Sequence, residues 1–332
     1  MYKEFYGLTA NPFQLTPDPK FFFGSKVHKR AIAYLQYGLL REEGFIVITG
    51  EIGAGKTTLL NNLFRKLEPN KIVAAQIVNT NFNSEDTLRM VAEAFGLPYE
   101  DTSKASLLTN IESFLNQCDH QGKRALLLVD EVQSLTPQSI EELRMLSNFQ
   151  TDEKSLLQIF LIGQPEFRET LHGNDMKQLK QRVIASYHLG PMDIDETRSY
   201  IEHRLTAAKW SGDPKFSKDA FTTIFDFTGG IPRKINSLCD RLLLMGCLEG
   251  IHFFGKSEVD EVTRDMQQEF ALPVSEAQVK ALSDSTRHDL AENFHTNQLQ
   301  MDSRLSEIER SVNSILALFK HSLPEKTQIE KQ

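Results

Sequence analysis

The sequence of 332 residues lacks long apolar runs and any excess of basic residues. Its longest apolar stretches, such as 45–49 and 242–245, fall far short of the ~20 residues that cross a bilayer, so we expect no direct membrane insertion. Residues 1–8 show no basic flank followed by an apolar stretch, and no signal peptide is expected. Lysine and arginine number 37 against 45 aspartate and glutamate, a net charge of −8 that disfavours nucleic acid as the partner without excluding it.

Cysteine is also scarce. Cys118, Cys239 and Cys247 show neither a C-x-x-C pair nor the spacing of metal ligands, so we expect buried thiols in a reducing compartment such as the cytoplasm. The remaining composition, with 40% apolar and 25% charged residues, is typical of a globular protein. The length suits two compact domains and an appendage.

Short apolar runs alternate with helical periodicity over the first 190 or so residues. Residues 125–129 are apolar throughout, which is typical of a parallel strand covered on both faces. The β-α-β order predicts an α/β fold in which a parallel sheet carries helices on both faces. The predicted strands are 45–49, 72–78, 125–129 and 156–162, and the predicted helices between them include 57–67, 84–95, 105–118 and 138–149.

After residue 192 the predicted strands stop and the pattern becomes helical. We therefore expect an N-terminal segment with the α/β domain over 1–192, a small α-helical lid domain over 193–272 and a helical tail over 273–332. The tail repeats apolar residues at alternating spacings of four and three, which predicts either a short coiled coil or an amphipathic helix folded onto its own domain. The residues of this repeat are Met301, Leu305, Ile308, Val312, Ile315 and Phe319.

The segment between the first predicted strand and helix has the pattern G-x-x-x-x-G-K-[ST] of a phosphate-binding loop. Its glycines permit positive φ, so that successive N–H groups form an anion nest at a helix N-terminus. Lys56 can then reach the β- and γ-phosphates of ATP, and the Thr57 hydroxyl can ligate Mg²⁺. A chance match in a glycine-bearing turn is the alternative. The candidate nucleotide-binding residues are Gly50, Glu51, Ile52, Gly53, Ala54, Gly55, Lys56, Thr57 and Thr58.

An acid pair follows the apolar strand 125–129. At the end of that strand Asp130 can hold the metal ion, while Glu131 can orient and deprotonate the water that attacks the γ-phosphate. The other interpretation of an Asp-Glu pair in this position is a turn or a helix cap.

Gln164 follows the predicted strand 156–162. If this strand pairs with the phosphate-loop strand, Gln164 can contact the γ-phosphate or the attacking water, which makes it a candidate sensor. The alternative is a turn residue that caps the helix opened by Pro165. Two arginines, Arg182 and Arg233, are also notable because no packing pattern requires them.

With these motifs the sequence resembles AAA+ ATPases, and closely the ExeA/GspA type of secretion-associated ATPase, in the subfamily found with PEP-CTERM/exosortase and exopolysaccharide loci. The resemblance covers about residues 1–270. The motifs that carry it are Phe5-Tyr-Gly-Leu8, Asn11-Pro-Phe13, Thr16-Pro-Asp-Pro19, Gly44-Phe-Ile-Val-Ile-Thr-Gly-Glu51, Glu142-Leu-Arg-Met-Leu-Ser-Asn-Phe149, Gly163-Gln-Pro-Glu-Phe167, Tyr187-His-Leu189 and Gly230-Ile-Pro-Arg-Lys-Ile-Asn236.

This resemblance implies a P-loop domain followed by a helical lid, in a homo-oligomer whose subunits complete each other's sites. Arg182 is then the finger offered to the next subunit's γ-phosphate, and Arg233 the lid arginine that contacts the nucleotide of its own subunit. Both neutralise charge that develops on the transferred phosphoryl group. A surface ion pair for Arg182 and a salt bridge at a helix start for Arg233 are the alternatives.

The function implied is Mg²⁺-dependent ATP hydrolysis that drives or regulates a membrane-associated assembly for secretion, exopolysaccharide export or PEP-CTERM protein sorting. The transmembrane helix and periplasmic part of anchored relatives are not found in this sequence. We therefore expect a cytoplasmic protein, peripheral at the inner membrane through a partner. The alternatives are a DNA-binding AAA+ regulator resembling the partners of transposases, and a nucleotide-gated scaffold.

Three weaker features complete the sequence-based predictions. Asn79 or Asn81 can bond Glu131 and hold it idle, although an asparagine in a turn is usually only that. Tyr6 and Phe13 are expected in a core rather than in an adenine pocket. A small basic cluster is expected on a solvated helix face; its residues are Lys26, His28, Lys29 and Arg30.

Overall fold

The computed structural model describes residues 1–16, 18–65, 67–78, 84–151, 154–173 and 176–270. The heptad repeat of the tail, Asn79 and Asn81 lie outside the described residues. By proximity of Cα atoms the chain divides into two units, Met1–Gln267 and Gln268–Gln332, and the site lies in the first.

Seven strands and twelve α-helices form the described part of the chain. The strands are β1 (Phe45–Gly50), β2 (Ile72–Ile77), β3 (Arg124–Val129), β4 (Leu157–Gly163), β5 (Val183–Leu189), β6 (Lys215–Phe216) and β7 (Phe253–Phe254). The helices are α1 (Tyr2–Phe5), α2 (Lys26–Arg41), α3 (Lys56–Phe64), α4 (Ser84–Ala94), α5 (Lys104–His120), α6 (Pro137–Leu146), α7 (Glu166–His172), α8 (Lys177–Lys180), α9 (Ile194–Ala207), α10 (Lys218–Thr228), α11 (Pro232–Glu249) and α12 (Lys256–Phe270).

A five-stranded parallel sheet forms the centre of the first domain, in the order β2-β3-β4-β1-β5. The phosphate-loop strand β1 therefore lies between β4 and β5, and the predicted pairing with the strand before Gln164 is confirmed, with Thr49 opposite Gly163. Because parallel strands end at the same edge, the residues that follow β1, β3 and β4 meet there. The predicted α/β fold is confirmed.

Alternating residues of the sheet bury themselves in two separate cores. On one face Phe45 and Val47 of β1 join the core formed with helices α4 to α7, and all of these strand residues are fully buried. On the other face Ile46 and Ile48 pack with residues of α2 and α3. Because both faces of the sheet are buried, the sequences of these strands are continuous apolar runs.

A third core joins the N-terminal segment to the C-terminal helices. Tyr6, Leu8, Phe13 and Phe21 are buried among residues of α9 to α12, which confirms that Tyr6 and Phe13 are core residues. The Tyr6 hydroxyl donates to the carbonyl of Ile251 over 2.8 Å. These four residues of the N-terminal segment thus share a core with the helical region, although in sequence the segment adjoins the sheet. The domain boundary at residue 192 stays a prediction.

The structure adds elements that the sequence patterns did not predict. The helical region contains the parallel pair β6 and β7, so the expectation that strands stop after residue 192 is wrong in this detail. Each strand is two residues long, too short to show an alternation. Cys118 and Cys239 are buried as expected, whereas Cys247 is half-buried. Across the described ranges, no helix is both long enough and apolar enough to span a bilayer.

Candidate nucleotide-binding site

The loop between β1 and α3 has the shape of a phosphate cradle. Gly53 and Gly55 adopt φ values of 84° and 95°, which residues with a Cβ rarely adopt. Gly50 lies so close to β5 that a Cβ there would come within 2.7 Å of the carbonyl oxygen of Leu189. The loop leads directly into α3, whose first residue is Lys56, so its N–H groups lie at a helix N-terminus that favours an anion.

Lys56 is buried within this loop, with 7% of its surface exposed. Its Nζ donates to the carbonyl oxygens of Gly50 at 2.7 Å and Glu51 at 3.1 Å. Burial lowers the pKa of Lys56, and the nearby carboxylates of Glu131 and Asp130 partly oppose this shift. A phosphate bound in the loop would compensate the desolvated ammonium better than the two neutral carbonyl oxygens do.

Thr57 and Asp130 bring together two oxygen atoms of the kind that Mg²⁺ prefers. The Thr57 hydroxyl donates to Oδ2 of Asp130 over 3.4 Å, and Oδ1 of Asp130 accepts the backbone N–H of Glu131 at 2.9 Å. Burial raises the pKa of Asp130, which is 2% exposed. A cation placed here would stabilise the ionised carboxylate.

Glu131 and Gln164 contact each other at the edge of the sheet. Gln164 Nε2 donates to Oε2 of Glu131 over 3.3 Å, and Gln133 Nε2 donates to the same oxygen over 2.6 Å. Glu131 adopts a left-handed conformation with φ 54° and ψ 38°, which costs about 1–3 kcal/mol in a residue with a side chain. The side chain of Gln164 thus lies against Glu131.

A cleft of about 440 Å³ connects the loop with Glu131 and the helical region. The residues that line this cleft include Ile52, Gly53, Gly55, Lys56, Thr57, Thr58, Glu131, Gln164 and Arg233. Helix α11 packs directly on the loop, since a Cβ on Gly53 would lie 2.4 Å from Cβ of Arg233. The backbone N–H of Arg233 also donates to the carbonyl of Gly53 over 3.2 Å.

Arg182 lies elsewhere. It immediately precedes β5 and therefore occupies the edge of the sheet opposite to the phosphate loop. Its Nη1 donates to the carbonyl and hydroxyl oxygens of Ser147, at 3.2 and 2.9 Å. The structure thus brings Arg233 into the cleft of its own chain and leaves Arg182 outside it.

His28 is a residue of this site that sequence reasoning missed. It is buried, so the expectation of a solvated basic face is wrong for this residue. Its Nδ1 lies 2.7 Å from the Ser25 hydroxyl, and its Nε2 faces Gly55, where a Cβ would come within 2.9 Å. Burial lowers the pKa of His28, and a hydrogen bond with the backbone of Ala54 opposes this. The spacing of His28 with buried Ala31 and Leu35 marks the inner face of α2.

Arg204 closes the cleft on the side of the helical region. It is buried, and its guanidinium donates to the carbonyl oxygens of Pro12 and Gln14 and to the Tyr200 hydroxyl. The guanidinium also lies over the ring of Phe21, 5.1 Å from its centroid. Helix α9 and the N-terminal segment are thereby tied together. No local pattern reveals this contact, because its partners are 192 positions apart.

A phosphate-binding loop that leads into a helix, beside an acid pair at the edge of a parallel sheet, is the arrangement of a P-loop nucleotide-binding site. Consistent with this, a family model described as an AAA domain matches residues 40–171. This range includes the phosphate loop, the acid pair and Gln164.

Among characterised proteins, the chain is similar to General secretion pathway protein A of Aeromonas hydrophila. The two are 41% identical over 253 residues, which cover 76% of this chain and 46% of that protein. The chain thus spans about half the length of the relative it matches. The resemblance to the secretion-associated type is confirmed, whereas the PEP-CTERM/exosortase subfamily stays a prediction.

Solved structures confirm the fold alone. Cdc6p from Pyrobaculum aerophilum has a TM-score of 0.58 at 16% identity, covering 82% of this chain and 74% of its own. The ADP form of the ORC2 protein of Aeropyrum pernix has a TM-score of 0.57 at 16% identity, covering 79% and 74%. Identities this low carry the architecture and not the activity of these proteins.

Proposed function

We propose that the chain hydrolyses ATP with Glu131 as the general base. The observation that carries the proposal is the meeting of three separate segments at one edge of the sheet. Lys56 of the loop, Glu131 and Gln164 line a single cleft, and Gln164 lies 3.3 Å from Glu131. Asp130 accepts a bond from Thr57, which also lines this cleft. Lys56 then neutralises phosphate charge, Glu131 takes the proton of the attacking water, and Gln164 contacts the γ-phosphate or that water.

We further propose that the nucleotide is bound as its Mg²⁺ complex. The hydroxyl of Thr57 and the carboxylate of Asp130 are hard oxygen donors 3.4 Å apart, a donor set that fits Mg²⁺ when it also binds substrate phosphates and waters. The ion would neutralise charge on the β- and γ-phosphate oxygens. Thr57 and Asp130 would hold it, beside the loop residues Gly50–Thr58 that hold the nucleotide.

The contact between α11 and the phosphate loop supports a role for the helical region in coupling. Because Arg233 packs on Gly53 within the cleft, a change in the phosphates would be transmitted directly to the start of α11. We propose that Arg233 contacts the nucleotide and that hydrolysis changes the angle between the sheet domain and the helical lid. Such a motion delivers work or a signal to a partner.

The partner we propose is a membrane-associated assembly for secretion, in a Gram-negative cell. Similarity to General secretion pathway protein A supports the secretion role, and the motifs shared with the PEP-CTERM-associated subfamily favour exopolysaccharide export or protein sorting. In this proposal the chain acts in the cytoplasm and reaches the inner membrane through its partner.

A capture experiment tests this partner. Glu131→Gln protein with ATP should retain inner-membrane components of a secretion or polysaccharide system from host extracts, and Lys56→Ala protein should not, because only the former holds the ATP state. Equal capture by both variants would contradict the proposal. DNA-stimulated hydrolysis with a steep salt dependence would instead support the DNA-binding alternative.

We also propose that Arg182 acts in a homo-oligomer. It lies on the sheet edge away from the cleft of its own chain, as a residue that completes a neighbour's site must. In this arrangement its guanidinium leaves Ser147 and contacts the γ-phosphate bound by the next subunit. A finger supplied in trans contributes about 10³–10⁵ in rate.

Arg182→Ala should therefore lower kcat by about 10³-fold while ATP binding persists. Specific activity of the natural protein should rise with protein concentration. Mixing Arg182→Ala with Lys56→Ala should restore part of the activity, since the second variant offers an intact Arg182 to the nucleotide bound by the first. Ser147→Ala controls for loss of the intrachain contact. A flat specific activity, with a monomer by sedimentation, would count against the finger.

A further inference from the structure

Gln133 uses both ends of its side-chain amide at the site. Its Nε2 donates to Oε2 of Glu131 over 2.6 Å, and its Oε1 accepts the backbone N–H of Gln164 over 2.9 Å. Gln133 therefore links Glu131, the proposed base near the end of β3, to Gln164, the proposed sensor after β4. The inference below rests on the proposed function.

The orientation of this amide is fixed by its two partners. A backbone N–H can only donate, so the Gln133 oxygen must face Gln164. The nitrogen then faces Glu131, whose ionised carboxylate can only accept. A flipped amide would leave both contacts repulsive. Of the common side chains of this length, only glutamine supplies an acceptor and a donor at these two ends.

The backbone around Gln133 is shaped to allow the contact. Val132 and Gln133 belong to a short 3-10 helix, Val132–Ser134, that begins directly after Glu131. The end of β4 approaches this helix so closely that a Cβ on Gly163 would lie 2.7 Å from Cγ2 of Val132 and 2.9 Å from Oε1 of Gln133. Glycine at position 163 thus lets the side chain of Gln133 reach the N–H of Gln164.

Two amides converge on a single oxygen of Glu131. The bond from Gln133 is the shorter, at 2.6 Å, and the bond from the Gln164 side chain spans 3.3 Å. When the Gln164 side chain turns toward a γ-phosphate, Oε2 keeps its bond to Gln133. Because Gln133 also holds the backbone of Gln164, a displacement of that backbone would be passed to the carboxylate.

We propose that Gln133 is a positioning residue that orients the Glu131 carboxylate for catalysis and couples it to Gln164. Its side-chain amide bonds Glu131 and the backbone of Gln164, and it acts through these two residues. Its role is therefore in turnover and not in nucleotide affinity.

Two variants test this. Gln133→Met removes both contacts at similar volume and should lower kcat by about 10- to 100-fold, with ATP affinity within about twofold of wild type. Gln133→Glu keeps the acceptor for Gln164 but places a second carboxylate beside Glu131, so kcat should fall as well. Hydrogen exchange at the backbone N–H of Gln164 distinguishes the two variants. Its protection should be lost in Gln133→Met and kept in Gln133→Glu. Gln138→Met, at an exposed position of α6, is the matched control.

Coupling to the sensor is measured by a double-mutant cycle. If the two amides act as a unit, Gln133→Met combined with Gln164→Met should lower kcat by much less than the product of the single effects. Unchanged kcat in Gln133→Met, ATP affinity that falls as far as kcat, or effects that multiply would overturn the inference. Wild-type protein that hydrolyses no ATP would instead contradict the proposed function.

Discussion

Replacing Lys56 by alanine should weaken ATP binding by at least about 100-fold, beyond detection in an ordinary titration. The Lys56 ammonium is the cation placed inside the loop, and burial has already removed most of its water, as its lowered pKa reflects. Its charge is therefore available to the phosphates at little further cost. A charge-assisted bond in such a site contributes several-fold more than one at the surface.

Calorimetric titration with ATP provides the measurement. Lys218→Ala, which removes an exposed lysine at the start of α10, is the matched control and should bind as the natural protein does. The melting temperature of Lys56→Ala should change little, because the cost of burying the ammonium offsets its bonds to two loop carbonyls and its attraction to nearby carboxylates. Equal ATP affinity in Lys56→Ala and wild type would refute the assignment of the loop.

Replacing Glu131 by glutamine should separate binding from turnover. The amide keeps the size of the carboxylate but cannot take a proton from water, so turnover should fall by about 10²–10⁴-fold. ATP affinity should persist, because the loop and Lys56 remain. Phosphate release in a single turnover, with affinity measured in parallel, provides the test.

Glu169→Gln is the control for this variant, as it neutralises an exposed glutamate of α7 that is remote from the acid pair in sequence. It should hydrolyse ATP at the wild-type rate. If Glu131→Gln turned over ATP as fast as wild type, another residue would have to be the base. The nucleotide-gated scaffold would gain support if this variant functioned normally in cells.

Local patterns predict the centre of the site well. Strand β1 and the loop after it are encoded by contiguous residues, because an apolar run must be buried and glycines with a following lysine permit the cradle. The position of Gln164 beside the acid pair also follows, once parallel strands are expected to end at one edge. The pairing of the strands is the one long-range contact that these predictions require.

Contacts between distant segments could not be predicted. Arg204 reaches Pro12 and Gln14, and the N-terminal segment joins the core of the helical region. Neither side of these contacts carries a periodic pattern that identifies its partner. Strand β5 escaped prediction for a related reason: at the edge of the sheet it pairs with β1 alone and is only partly buried, so its sequence alternates weakly.

The most direct test of the account is a crystal structure of Glu131→Gln protein with ATP and Mg²⁺. We expect the β- and γ-phosphates within the N–H groups of residues 50–57, the ion bound by the Thr57 hydroxyl near Asp130, and Nζ of Lys56 moved from the loop carbonyls to the phosphates. Triphosphate bound away from the loop, or an ion remote from both Thr57 and Asp130, would contradict the claim that these segments enclose one nucleotide.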